Sequence, residues 1–201
     1  SPHGSAGTLL WSTFLGGNDF DDAYAVAIHD DGTIYVAGVA FSPNFPVTPG
    51  LDTALGGASD GFVARLEPDG SGVRYCTYLG GAFAPAGFDD WMMERVDGIA
   101  VDGSGTVFLV GGTYSPDFPT TPGAYDTTFN GGGTCVTIGP NVLDCGDAFL
   151  ARLGSSGQLM YSTFLGGSYL PYVDSGGDDA ATAVAVDEQG RAFVTGFTSS
   201  W

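Results

Sequence analysis

One nine-residue segment occurs three times in this chain of 201 residues, and this repetition constrains the fold more than any other feature. "LLWSTFLGG" at 9–17 returns as "VRYCTYLGG" at 73–81 and as "LMYSTFLGG" at 159–167. Each copy is rich in aromatic and β-branched residues and ends in two glycines, a pattern that predicts a β-strand followed by a turn. We therefore expect a fold built from one repeated unit of β-structure.

Other segments recur in the same order between the copies. Two apolar strands joined by a tight glycine-containing turn are predicted at 25–40, 98–114 and 183–198. A further strand, "DGFVARL" at 60–66, returns as "DAFLARL" at 147–153. The segments "SPNFPVTPG" and "SPDFPTTPG" separate hairpin from third strand, and their prolines mark fixed connections. Each unit is therefore expected to hold four antiparallel strands, which we label a, b, c and d.

Four-stranded units repeated along a chain are typical of a β-propeller, in which each unit forms one blade. A β-solenoid is the alternative, but solenoid coils are shorter and more uniform than these units. The sequence predicts an all-β fold with about two and a half blades and an incomplete ring. The expected divisions are an N-terminal outer strand in 1–17, blade 1 in 18–81, blade 2 in 82–167 and a partial blade 3 in 168–201. Two explanations of the incomplete ring are possible from the sequence. The chain is a segment of a longer protein, which we favour, or several chains associate to close the ring.

The motifs "YSTFLGG", "AVAVDEQGRAFVTGFT", "SPDFPTTPGAYDTTF" and "DAFLARL" together resemble the SBBP (seven-bladed β-propeller) repeat family. The hairpin alone is also similar to NHL-type propeller repeats. The SBBP resemblance covers most of the chain, and it implies a secreted or cell-surface protein of bacteria or archaea. It supplies no catalytic motif and no ligand residue.

The chain is strongly acidic, with 23 Asp and Glu against five Arg and a net charge of −18. This charge repels nucleic acid and anionic lipid, so neither is an expected partner, whereas bound cations or a basic partner fit it. Clustered carboxylates precede each a strand, and Ca²⁺ is the cofactor that such oxygens suit. Capping of turns by Asp is the competing explanation. The candidate calcium ligands are Asp19, Asp21, Asp22, Asp89, Asp90, Asp174, Asp178 and Asp179.

Three cysteines bear on the compartment. Cys135 and Cys145 flank a short segment of one long loop, and their spacing predicts a disulfide that would stabilise by about 3 kcal/mol on the chain-entropy account. Cys76 lies where the other copies of the repeat have Ser, which indicates a structural role. A disulfide favours an extracellular or cell-surface location, with the periplasm as an alternative.

The long connections, b–c and d–a, all belong to one end of the blades, so any partner is expected at that end. Aromatic residues in these loops are candidates for stacking on a glycan or anchoring a protein. They are Phe83, Phe88, Trp91, Tyr125, Tyr169 and Tyr172.

No nucleophile elbow, zinc-protease motif or phosphate loop occurs in the sequence, so we expect no enzyme. The predicted function is a non-catalytic extracellular structural and binding module. Its expected partner is a protein or the remaining blades of the same protein, without direct membrane insertion. The alternatives are a lectin-like propeller completed by oligomerisation and a polysaccharide-active or other hydrolytic propeller.

Overall fold

The computed structural model of the protein describes residues 8–82, 94–131, 136–138, 141–143, 146–167 and 178–200. Within these ranges the chain is all-β, and no helix long and apolar enough to cross a membrane is found. The described ranges contain twelve strands, and ten of these form three antiparallel sheets. In chain order they are β1 (Asp21–Ile28), β2 (Ile34–Ala40), β3 (Asp60–Leu66), β4 (Val73–Leu79), β5 (Arg95–Val101), β6 (Val107–Thr113), β7 (Val136–Ile138), β8 (Asn141–Leu143), β9 (Asp147–Leu153), β10 (Leu159–Leu165), β11 (Asp179–Val186) and β12 (Ala192–Thr198).

The sheets confirm the predicted blades. The first has the strand order β1-β2-β3-β4, the second β5-β6-β9-β10, and the third contains β11 and β12 alone. Each a–b turn places a glycine in the left-handed region, with φ of 84° at Gly32, 78° at Gly105 and 73° at Gly190. Glycine adopts this conformation without the steric penalty of a Cβ, which explains why each hairpin keeps one there. A short hairpin of β7 and β8, which the sequence did not predict, lies within the long b–c connection of blade 2.

Every a strand carries an irregularity opposite the same glycine of the b strand. The register shifts between Ala23 and Ala25 in β1, and equivalent shifts occur in β5 and β11. A Cβ built on Gly38 or Gly111 would overlap a backbone carbonyl oxygen of the neighbouring a strand. The bulge and the glycine therefore depend on each other, because only glycine permits this close approach.

The largest core lies between blades 1 and 2. Tyr35 and Leu79 of the first blade pack with Val96, Leu109 and Phe149 of the second, and all five are buried. The aromatic ring of Phe118, from the Pro-rich connection, lies 4.5 Å from that of Phe149. Burial of apolar surface between sheets is the dominant stabilising term in such a fold. Each blade is thus stabilised by its neighbour as well as by its own hydrogen bonds.

The predicted N-terminal outer strand is wrong: the described part of that segment, from residue 8 to 17, forms no strand. A strand requires a neighbouring edge for its backbone hydrogen bonds, and the described residues provide none there. The segment still occupies the place of a d strand beside blade 1. Trp11 lies against Gly70, as Tyr75 of β4 lies against Gly157 in the next blade. Phe14, at the position of the buried Tyr78, is 102% exposed.

Candidate functional site

The end of the blades that carries the long connections is organised by one acid per blade. Asp21, the first residue of β1, accepts hydrogen bonds through Oδ2 from the backbone N–H of Gly17 at 2.7 Å and the hydroxyl of Ser42 at 2.7 Å. Gly17 belongs to the preceding copy of the nine-residue motif, and Ser42 follows the b strand. One carboxylate therefore ties a blade to the segment before it.

The same arrangement recurs at the next two blades. Glu94, immediately before β5, accepts hydrogen bonds from Gly81 N–H at 2.7 Å and from the hydroxyl of Thr113. It also forms a hydrogen bond with the side chain of Ser115. Asp179, the first residue of β11, accepts from Gly167 N–H at 3.0 Å and from Ser200 at 2.7 Å. We call Asp21, Glu94 and Asp179 the junction acids. Charge-assisted hydrogen bonds of this kind are stronger than neutral ones, so they help to fix the blades together.

A second acid faces two of the junction acids from the neighbouring blade. Asp60 begins β3, and its Oδ2 accepts from Gly56 N–H at 2.7 Å, while Asp147 begins β9 and accepts from Asn130 N–H at 2.6 Å. We call Asp60 and Asp147 the facing acids. Both are fully buried, and Oδ1 of each has no hydrogen-bond partner among the described residues.

A glycine makes room between the two carboxylates. A Cβ built on Gly80 would overlap Asp60 Oδ1 and lie 2.9 Å from Glu94 Oε2. A Cβ built on Gly166 would likewise overlap Asp147 Oδ1 and lie 3.0 Å from Asp179 Oδ2. The first glycine of the "LGG" motif is thus required sterically, because a side chain there would displace the facing acid.

Burial and like charge perturb these carboxyls. Burial raises the pKa of Asp60 to about 7, and the carboxylate of Glu94 adds to the rise. Burial raises the pKa of Asp147 to about 6, with a contribution from Asp179. The pKa of Glu94 is also raised by burial, against the hydrogen bonds from Thr113 and Gly81. No cation of the described residues forms an ion pair with these groups, so no opposite charge offsets the effect of burial. Each facing acid therefore binds a proton more tightly in the folded state than in the unfolded chain.

A carboxyl pair with a raised pKa can act as a general acid and base, but only where substrate can reach it. The facing acids are inaccessible to solvent. Described cavities of about 240, 130 and 60 Å³ are lined by other residues. The arrangement therefore suits a structural role at the blade junctions better than catalysis.

The predicted calcium ligands fall into two groups. Asp21 and Asp179 are junction acids, and Asp178 accepts a hydrogen bond from Gly146 N–H at 3.1 Å while burial raises its pKa. Asp19 caps Phe20 N–H at 2.8 Å, and no hydrogen bond involves the side chain of Asp22 among the contacts described. Asp89, Asp90 and Asp174 lie outside the described residues. No group of three or more His, Cys, Asp or Glu that could hold a metal ion occurs in the described ranges, and calcium binding stays a prediction.

The other predicted site residues are mostly outside the described part of the chain. This holds for both cysteines of the predicted disulfide and for five of the six aromatic candidates: Cys135, Cys145, Phe83, Phe88, Trp91, Tyr169 and Tyr172. Tyr125 is described, and this residue is 84% exposed on the long-loop end. Cys76 is buried, which agrees with a structural role, and burial raises the pKa of its thiol to about 12.

Sequence reasoning missed Glu94 and both facing acids, although a signal for Glu94 was present. Gly32 and Gly105 are 73 residues apart, and the same step from Asp21 leads to Glu94. The serine after each b strand follows its junction acid by 21 residues, at Ser42, Ser115 and Ser200. The calcium prediction depends on clusters of aspartate, whereas Glu94 is one of only three glutamates in the chain.

No protein-family model matches this chain, and no curated protein shows significant similarity to it. Its similarity to SBBP repeats therefore stays a prediction that depends on the four quoted motifs.

Proposed function

We propose that the chain is a non-catalytic structural and binding module, a segment of an extracellular β-propeller that binds protein through its long-loop face or its blade edges. The polar groups at the blade ends support this proposal, because they are used to join one blade to the next. Catalytic use would require some of them to face solvent. The repeat motifs that resemble SBBP proteins support the extracellular location.

The observation that carries the proposal is an exposed apolar stripe on β1. Val26 and Ile28 are 63% and 67% exposed. Their equivalents in β5, Ile99 and Val101, pack against the core between blades 1 and 2. The first blade therefore presents the surface that a neighbouring blade covers elsewhere in the same molecule. Exposed stripes of this kind mark protein–protein contact sites.

The test is the solution mass of the chain, measured by size-exclusion chromatography with light scattering over a range of concentrations. We expect the mass to rise with concentration, and Val26→Glu with Ile28→Glu to restore the monomer, because a charge cannot be buried unpaired at low cost. Met160→Glu is the matched control, since Met160 is also exposed but lies on β10, away from this stripe. A chain that stays monomeric at every concentration, or association that ignores the β1 changes, would contradict the proposal.

A further inference from the structure

The outer edge of β12 has no partner strand among the described residues. In both four-stranded blades the same edge of the b strand is covered by a c strand, β3 on β2 and β9 on β6. The two c strands share the pattern Asp-x-Phe-x-Ala-Arg-Leu. An uncovered strand edge offers unpaired N–H and C=O groups, which favours the addition of another strand.

The c strands are held in one register, which defines three recognition positions. In blade 2, Asp147 lies opposite Thr113, Phe149 opposite Gly111 and Arg152 opposite Phe108. In blade 1 the same three positions of the c strand lie opposite Ala40, Gly38 and Tyr35. Counting from the shared glycine, β12 presents Thr198, Gly196 and Phe193 at these positions.

The arginine position is recognised by an aromatic ring. The guanidinium carbon of Arg65 lies 5.6 Å from the ring centre of Tyr35, and that of Arg152 lies 5.5 Å from the ring of Phe108. These two arginines are among only five basic residues in the chain. Phe193 provides the equivalent ring on β12, and it is 57% exposed. The guanidinium carbon of Arg191 lies 5.9 Å from its ring centre, so an arginine supplied by a partner would stack on the opposite face of the ring. A cation over an aromatic face is attracted by the ring quadrupole.

The phenylalanine position is recognised by a pocket between blades. Phe149 packs with Leu79, Val96 and Leu109 between blades 1 and 2. The residues at the equivalent positions between blades 2 and 3 are Leu165, Ala181 and Val194. They line a groove of about 240 Å³, and Gly196 also lines it. This groove is therefore the counterpart of the space that Phe149 fills in the complete blade.

We propose that β12 and this groove bind an antiparallel strand of the pattern Asp-x-Phe-x-Ala-Arg-Leu, supplied by a further repeat of the same kind. Its Asp lies opposite Thr198, its Phe enters the groove beside Gly196, and its Arg stacks on Phe193. The inference rests on the proposed function and specifies the partner of one blade edge. A c strand from a second copy of this chain does not fit, because β3 and β9 are already paired on both sides.

The test uses the 201-residue chain and a fluorescent peptide with the sequence of residues 146–154, followed by anisotropy. We expect saturable binding that weakens at least about ten-fold when the peptide Phe becomes Ser, since a buried aromatic group dominates such contacts. Replacement of the peptide Arg by Gln is expected to weaken binding about three-fold. Phe193→Ala in the protein should weaken binding of the parent peptide by a similar factor. The same substitution should not change the affinity for the peptide in which Arg is replaced by Gln. Phe20→Ala, which removes another exposed ring remote from β12, is the matched control.

Three results would overturn the inference: no saturable binding, equal binding of a scrambled peptide, or occupation of the edge by a β12–β12 dimer that Phe193→Ala dissociates. The concentration dependence of mass described above depends on the β1 stripe and not on this groove. If the peptide does not bind but the chain still associates through the β1 stripe, only the proposed strand partner is rejected. Loss of β1-dependent association would reject the proposed function.

Discussion

The burial of Asp60 leads to a prediction about stability and pH. Its carboxyl is fully buried and close to Glu94, and among the described residues it accepts one hydrogen bond, from the backbone N–H of Gly56. Asp52 and Asp117 add further negative charge. Asp60→Asn keeps the size of the side chain and an oxygen that can accept from Gly56, while its amide can donate toward Glu94. We therefore expect this substitution to stabilise the protein at neutral and alkaline pH.

The magnitude follows from the pKa of the group in the two states. The pKa rises from 3.8 to about 7 on folding, and one pKa unit corresponds to about 1.4 kcal/mol. The folded state therefore binds the proton more tightly, so the stability that Asp60 contributes is fully present below its unfolded pKa. That stability is lost as pH rises through the interval between 3.8 and about 7. The free energy of unfolding decreases by about 4 kcal/mol over this interval, and this decrease is absent in Asp60→Asn because the amide does not titrate.

The assay is urea unfolding at a series of pH values, followed by circular dichroism. The advantage of Asp60→Asn should be small near pH 4, grow through the acidic range and level off at about pH 8. Asp147→Asn should behave likewise with a smaller plateau, because its pKa is raised only to about 6. Glu188→Gln removes one charge from an exposed site and should change stability by less than about 0.5 kcal/mol. An advantage of Asp60→Asn that is absent at pH 8, or independent of pH, would refute the reasoning.

Two further predictions concern positions that the repeat makes comparable. Phe164→Ala should cost about 3–5 kcal/mol because its ring is fully buried, whereas Phe14→Ala at the same repeat position should cost less than about 0.5 kcal/mol, as measured by chemical unfolding. Equal effects at the two sites would contradict the assigned burial. Native Cys76 should resist iodoacetamide at pH 8 and react after denaturation, because burial raises its thiol pKa to about 12; peptide mass spectrometry of the alkylated chain shows this, and rapid native labelling would contradict it.

Much of the fold was predictable because local signals and tertiary contacts agree. The glycine turns predicted each a–b hairpin, and the hairpin predicted over 25–40 is observed as Asp21–Ile28 and Ile34–Ala40. The N-terminal copy of the motif shows the limit of this reasoning. Its sequence is a near-copy of the segment that forms β4, but a favourable sequence cannot supply the missing edge on which a strand forms.

The candidate site was predicted only in part, because one residue type performs opposite roles at the two ends of a blade. At the a–b turns, Asp31 and Asp187 accept backbone N–H groups two residues further along, and hydrogen bonds lower their pKa. These acids favour the folded state as pH rises above their unfolded pKa. At the opposite end the facing acids are buried beside another carboxylate, and their pKa values are raised.

Both classes of acid contribute to the same excess of negative charge in the sequence. Composition alone does not show which of these acids are buried. The distinction arises only when neighbouring blades bring Asp60 beside Glu94 and Asp147 beside Asp179, residues 34 and 32 positions apart in the chain. Because the turn acids and the facing acids respond to pH with opposite sign, stability should fall toward strong acid, where the turn acids become protonated. It should also fall as pH rises through the raised pKa values of the facing acids, about 7 for Asp60 and about 6 for Asp147. The junctions between blades, and not the turns, determine the fall in stability toward neutral pH.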